Sequence, residues 1–129
     1  MNCPKELKYT RSHEWVRVEK DEAVVGITEH AQDALGDIVY LELPEVGETF
    51  EREQVFGVVE SVKTTSDLYA PIKGTIVAVN EAAVEDSSLV NSDPYGKGWM
   101  IRMKIEDESQ LADLLDAETY QAEAAKDEH

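Results

Sequence analysis

The sequence predicts a mainly β fold, a small sandwich or barrel with short helices added at its edges. Two observations carry this. Most apolar residues fall in short runs of strand length, and clusters such as PEVGE and SDPYGKG place turn residues between those runs. Helical periodicity is confined to two places, one early and one near the C-terminus.

In chain order, Trp15–Glu19 and Ala23–Ile27 flank an EKDE turn and read as a hairpin. Thr28 is placed to cap a short helix through Leu35, with Gly36 as its stop. Ile38–Leu43 alternates Ile38, Tyr40, Glu42 against Val39, Leu41, Leu43, as a half-buried strand does, and Pro44 with Gly47 ends it. Gln54–Glu60 and Leu68–Ile72 read as the two sides of another hairpin, followed by strands over Thr75–Val79 and Trp99–Ile105. Asp107 and Gln110 resemble a capping box, with Leu111, Leu114 and Leu115 forming one apolar face. The AETYQAEAAKDEH tail is helix-prone, and its last residues are expected to fray. No linker, repeat or low-complexity tract divides the chain, so residues 1–129 are expected to form one domain.

Composition narrows the function. A chain of 129 residues buries roughly two-thirds of its unfolded surface, enough for an ordinary core. A net charge of −16 argues against nucleic acid and anionic membranes, whose affinity comes from Lys and Arg. No run approaches the apolar length of a membrane span, and MNCPKELKYTR has neither the apolar core of a secretory signal nor the look of a transit peptide. A cytoplasmic location is expected. The lone Cys3 cannot form an internal disulfide, and with no local base it reads as an inert residue of a frayed end.

Catalytic chemistry is hard to find. His13, His30 and His129 make no metal-ligand spacing, and neither HExxH, CxxC, GxGxxG nor a phosphate loop occurs. His13-Glu14 has the residue types for acid–base or ligand chemistry, but polar residues leading into a strand are the plainer reading. A self-sufficient enzyme is therefore not expected.

What the sequence does offer is Lys63. It stands in ESVKTTSD, between VFGVV and LYAPI, where a hairpin tip would hold an exposed amine in a defined place. A solvated turn lysine is the ordinary explanation. Three details favour more. The turn lacks Gly and Asn; Val58, Val59 and Val62 carry the strand almost to the tip; and Glu60 and Asp67 bracket the lysine nearly symmetrically. An unmodified acidic interaction module is the contrasting possibility.

ESVKTTSDLYAP resembles the lipoyl-attachment motif of the glycine cleavage system H protein family, with Lys63 on its modified lysine. KYTRSHEWVRVE, VGITEHAQDALGDIVYLELPEVG, NSDPYGKGWMIRMKI and LLDAETY resemble further blocks of that family, in the same order. Biotin carriers set their lysine between methionines, and acyltransferase lipoyl domains read Asp-Lys, so Ser61-Val62-Lys63 favours the H protein family.

The resemblance implies a barrel-sandwich hybrid fold, with a lipoyl-binding core over residues 22–105 and a C-terminal helical segment over 107–125. It implies a carrier, not an enzyme, bearing one lipoate as an amide on Lys63. That amide would remove the ammonium charge and lengthen an already flexible stem. In the family, the P protein (a pyridoxal-phosphate glycine decarboxylase) loads an aminomethyl group onto the arm. The T protein, an aminomethyltransferase, passes the one-carbon unit to tetrahydrofolate, and the L protein, dihydrolipoyl dehydrogenase, reoxidises the thiols. A lipoate ligase or a lipoyl/octanoyl transferase would install the group, with Glu60 and Asp67 as recognition or arm contacts. Ser12, Glu14 and Asp67 are the implied lining of a groove for the loaded arm, and each otherwise looks like a surface residue. A monomer is expected, from the charge and the need for transient docking. Two departures from the family pattern touch the groove and partner contacts: Ala34 where some members carry His, and Lys73 where Ser is common. A lipoyl relay, donating the group to other carrier domains, is the nearest alternative.

Overall fold

Nine strands and four short helices make up the computed structural model, which describes residues 3–126. Met1, Asn2 and residues 127–129, including His129 and the ends of the expected domain, lie outside the described residues. The strands are β1 (Lys8–Tyr9), β2 (Glu14–Glu19), β3 (Glu22–Ile27), β4 (Ile38–Glu42), β5 (Thr49–Phe50), β6 (Val55–Ser61), β7 (Thr65–Tyr69), β8 (Gly74–Val79) and β9 (Ile101–Ile105). The helices are α1 (Glu29–Leu35), α2 (Glu81–Glu85), α3 (Ser88–Ser92) and α4 (Ala117–Lys126), with a 3-10 turn over Glu108–Asp113.

All pairings are antiparallel. One six-stranded sheet runs β1-β2-β3-β9-β8-β5, and a three-stranded sheet runs β4-β6-β7. Neither sheet closes on itself, so the expected barrel is an open two-sheet arrangement. The sheets share one core, to which Val25, Ile76 and Met103 come from the larger and Leu41, Val59 and Leu68 from the smaller. Alternation explains most of this, because one face of a strand must be apolar when the other meets water. Strand β4 departs from its expected alternation: a bulge between Ile38 and Tyr40 buries both Ile38 and Leu41 and leaves Val39 and Tyr40 exposed. Strand β3 is buried nearly throughout because it has no wet face. Its Val24 points away from the main core into a second cluster with Trp15, Tyr9 and Tyr120, covered by α4. Tyr9 and Tyr120 stack there at 4.7 Å.

Local signals place α1 as the sequence predicts. Thr28 Oγ1 accepts from the Ala31 N–H at 3.2 Å, and Gly36 ends the helix with φ of 82°, a left-handed value that glycine tolerates best. Elsewhere the expectations shift. Strand β7 lies over Thr65–Tyr69, not Leu68–Ile72, because Ala70 leaves the ladder to pair with Gln54 and Pro71 has no N–H to donate. Strand β9 starts at Ile101 instead of Trp99, which packs on the second cluster. Asp107 does cap its segment, accepting from the Ser109 N–H at 3.0 Å, but that segment is a 3-10 turn. Gln110 does not complete a capping box; its Oε1 accepts from the Lys73 N–H at 2.6 Å. Cys3 is not frayed: it is buried beside Leu7 in the second cluster.

Candidate functional site

The β6–β7 hairpin closes over Ser61–Thr64, with Glu60 and Thr65 as its last ladder pair. Ser61 clamps this turn. Its N–H donates to the Thr64 carbonyl at 2.8 Å, and its Oγ accepts from the N–H groups of Lys63 at 3.3 Å and Thr64 at 3.2 Å. The serine is buried, so the turn is held from beneath without Gly or Asn. From the side, the Val62 N–H donates to the Asp37 carbonyl at 3.0 Å. Asn91 on α3 locks that neighbouring corner, donating to the Gly36 carbonyl at 2.9 Å and accepting from the Ile38 N–H at 2.9 Å. The backbone beneath Lys63 is thus tied to two other elements.

The Lys63 side chain is exposed, and among the described residues no ion pair or hydrogen bond holds its ammonium. Its stem passes Gly36 closely: a Cβ at Gly36 would stand 3.6 Å from Lys63 Cε. Glu60 and Asp67 are both exposed on the outer face of the small sheet. Since Glu60 pairs with Thr65, Asp67 is its diagonal neighbour across the hairpin. Neither makes an ion pair among the described residues.

At the far end of β7 lies a groove of about 640 Å³. Thr10, Ser12 and Glu14 line one side of it, Tyr69 and Pro71 another, and Arg52 with Asp113 its rim. Glu14 is not the surface residue its sequence context implies; it is 1% exposed. Its Oε1 accepts from Thr10 Oγ1 at 2.6 Å and Ser12 Oγ at 2.5 Å, and its Oε2 accepts from the Tyr69 N–H at 3.3 Å. Burial pushes this carboxyl up to about 7, while the hydrogen bonds from Ser12, Thr10 and Tyr69 oppose that rise. Near neutral pH the group therefore exists in both ionisation states, and a cation in the groove would draw it to the charged one. Lys73 lies elsewhere, its Nζ 3.6 Å from Glu51.

Of the three residues implied for the groove, the structure brings Ser12 and Glu14 together in its wall. Asp67 stands outside that wall, two residues nearer the tip than Tyr69. Thr10, the clamping role of Ser61, and Asn91 are not expected from the sequence, where Ser61 counts only as a flank of Lys63. A hydroxyl four residues before Glu14 and a serine two before Lys63 are local signals that could have pointed to the first two. Asn91 acts on residues 53 and 55 positions away and leaves no local trace.

The model of the Glycine cleavage H-protein family matches residues 7–127. A glycine cleavage system H protein of Bacteroides thetaiotaomicron is 57% identical over 122 residues, covering 95% of this chain and 97% of that one. The H protein of Methylacidiphilum infernorum is 59% identical over 121 residues, covering 94% of each. The crystal structure of a glycine cleavage system H protein from Mycobacterium marinum superposes with a TM-score of 0.88 at 41% identity, over 95% of this chain and 99% of that one. These names give the relay alternative no support. With a family match spanning almost all of its residues, the chain belongs to the glycine cleavage H-protein family.

Proposed function

We propose that this chain is the lipoyl carrier of a glycine cleavage system, taking the aminomethyl group of glycine from the P protein to the T protein. The observation that carries the reading is the exposed Lys63 amine on a clamped turn, joined by β7 to the groove that holds Glu14. Family membership supports it independently.

The chain's residues fit a lipoyl amide. Lys63 has a primary amine that can be acylated, it is accessible to a modifying enzyme, and no contact must be broken to reach it. Glu60 and Asp67 flank it on the outer face, where a ligase or a lipoyl/octanoyl transferase would read them. Bound there, lipoate would supply a redox-active sulfur pair able to carry the one-carbon unit. From Thr65 to Tyr69, β7 spans about 14 Å, so a lysine stem alone could not bring a cargo to Glu14. Thr10, Ser12 and the Tyr69 N–H hold the Glu14 carboxyl in place, and Glu14 in turn would bind the protonated amine of the cargo. The partly closed groove would limit access of water to the labile carbon. Asp67 would meet the arm on its way to the groove.

On this reading the chain is a non-catalytic component, cytoplasmic and monomeric, reoxidised through the L protein. The lipoyl-binding core spans residues 22–105, with the helical segment 107–125 packed against it. Among the described residues no helix is long and apolar enough to cross a membrane. Intact-mass analysis of protein made in a lipoate-competent host, followed by peptide mapping, tests the proposal. One lipoyl increment is expected, on the peptide containing Lys63; full-length protein with no increment would refute it.

A further inference from the structure

The loop between β1 and β2 folds the Glu14 side chain back onto its own turn. Thr10 is used twice there: its Oγ1 accepts from the Glu14 N–H at 3.0 Å and donates to Glu14 Oε1 at 2.6 Å. Ser12 Oγ approaches the same Oε1 at 2.5 Å. The two carboxyl oxygens are therefore unequal. Oε1 is engaged by two hydroxyls, whereas Oε2 accepts one long bond, from the Tyr69 N–H at 3.3 Å. A carboxylate oxygen has room for two donors, so Oε2 is the atom left for a ligand.

We propose that Thr10 is the positioning residue for Glu14, locking Oε1 into the loop so that Oε2 is presented to the groove as the seat for a cationic cargo. This rests on the carrier reading given above. Thr10 suits the task better than Ser12. Ser12 is exposed and free to exchange its carboxyl bond for water, whereas Thr10 is half-buried and anchored on both sides, its N–H donating to the Glu14 carbonyl at 3.0 Å. The β-branched side chain also has fewer rotamers to lose. A donor hydroxyl favours the charged carboxylate over the neutral acid, so Thr10 both aims the group and keeps it ionisable.

The test is the titration of the Glu14 side-chain carboxyl, followed by carbon NMR in the unmodified full chain. Thr10→Val keeps the shape and removes the hydroxyl; its Glu14 midpoint should rise by about one pH unit or more above the parent. Thr10→Ser should restore the parent midpoint. Tyr9, Arg11, Arg52, Glu53, Tyr69 and Asp113 line the same groove, His13 precedes Glu14 in the loop and Tyr120 interacts electrostatically with it, but all are common to the variants, so the difference isolates Thr10. A folded Thr10→Val that titrates with the parent would overturn the proposal. The parent offers a check that needs no variant: the Thr10 hydroxyl proton should exchange slowly enough to be observed above the Glu14 midpoint. A signal fully averaged with water would equally overturn it. Because the titration uses chain without the lipoyl group, failure of the carrier reading would show elsewhere, as a missing mass increment on Lys63 in protein made in a lipoate-competent host.

Discussion

Lys63 and Glu14 lie toward opposite ends of β7 and are held in opposite ways. At the tip, order resides in the backbone. Ser61, the Asp37 carbonyl and Asn91 fix the turn, while the lysine side chain itself is held by nothing among the described residues. In the groove, order resides in the side chain, and Glu14 is buried with both carboxyl oxygens hydrogen-bonded. An arm that must visit several partners needs a firm base and a loose end. A docking point needs a fixed atom in a partly dry place, and desolvation of its charge is the cost. The contrast teaches that rigidity is distributed by task, not by distance from the core.

The largest effect should come from breaking the tip. Lys63→Arg keeps the charge and offers no acylatable amine, so the lipoyl increment and the coupling of glycine decarboxylation to the T protein should vanish completely. Lys73→Arg should retain both. A lipoyl increment on Lys63→Arg protein would move the attachment elsewhere and dissolve the comparison.

Next in size is Glu14→Gln. Loss of a charge-assisted contact worth about 1.5–3 kcal/mol should speed formaldehyde release from the loaded arm by about 10- to 150-fold, with lipoylation intact. An unchanged release rate would remove Glu14 from the docking role. The same variant has a thermodynamic signature. Burial raises the folded carboxyl to about 7 from an ordinary 4.5, so the folded chain binds this proton more tightly than the unfolded chain. Its contribution is full below about 4.5 and is lost as pH rises to about 7, an amplitude of about 3 kcal/mol. Denaturant unfolding of parent and Glu14→Gln across that window should give a difference curve falling with pH; a flat difference would mean that the carboxyl is solvated.

Ser61→Ala sharpens the other side. Removing the Oγ that serves the Lys63 and Thr64 N–H groups should lower stability by about 1–2 kcal/mol and slow lipoylation, leaving the Glu14 titration untouched. Lipoylation at the parental rate would show that the modifying enzyme imposes its own turn geometry. The smallest effect belongs to the groove rim. Arg52 and Asp113 pair at 2.6 Å but both are well exposed, so Arg52→Ala should change unfolding free energy by less than about 1 kcal/mol. A larger loss would reveal that the rim holds the groove together.

Much of this architecture can be read directly from the chain because its signals are local. A short apolar run ended by Pro44 marks β4, although not which of its side chains are buried; Thr28 and Gly36 delimit α1, and valines running up to Lys63 place it at the end of a hairpin, each signal depending on neighbours a few residues away. The end of β7 is not legible locally, because apolar Ala70, Pro71 and Ile72 look like strand but are buried as a loop, Ala70 bonding to Gln54. The groove is a matter of folding distant segments together. Glu14 looks like any acid before a strand, and it becomes a buried, hydrogen-bonded carboxyl only when Tyr69, 55 residues on, closes over it. Asp67 shares its residue type and the same implied role, yet strand geometry leaves it outside the groove wall. Residue type and near-neighbour spacing establish which groups the chain possesses. Burial, which sets their ionisation and their reach, depends on contacts between residues far apart in sequence, and those exist only in the folded chain.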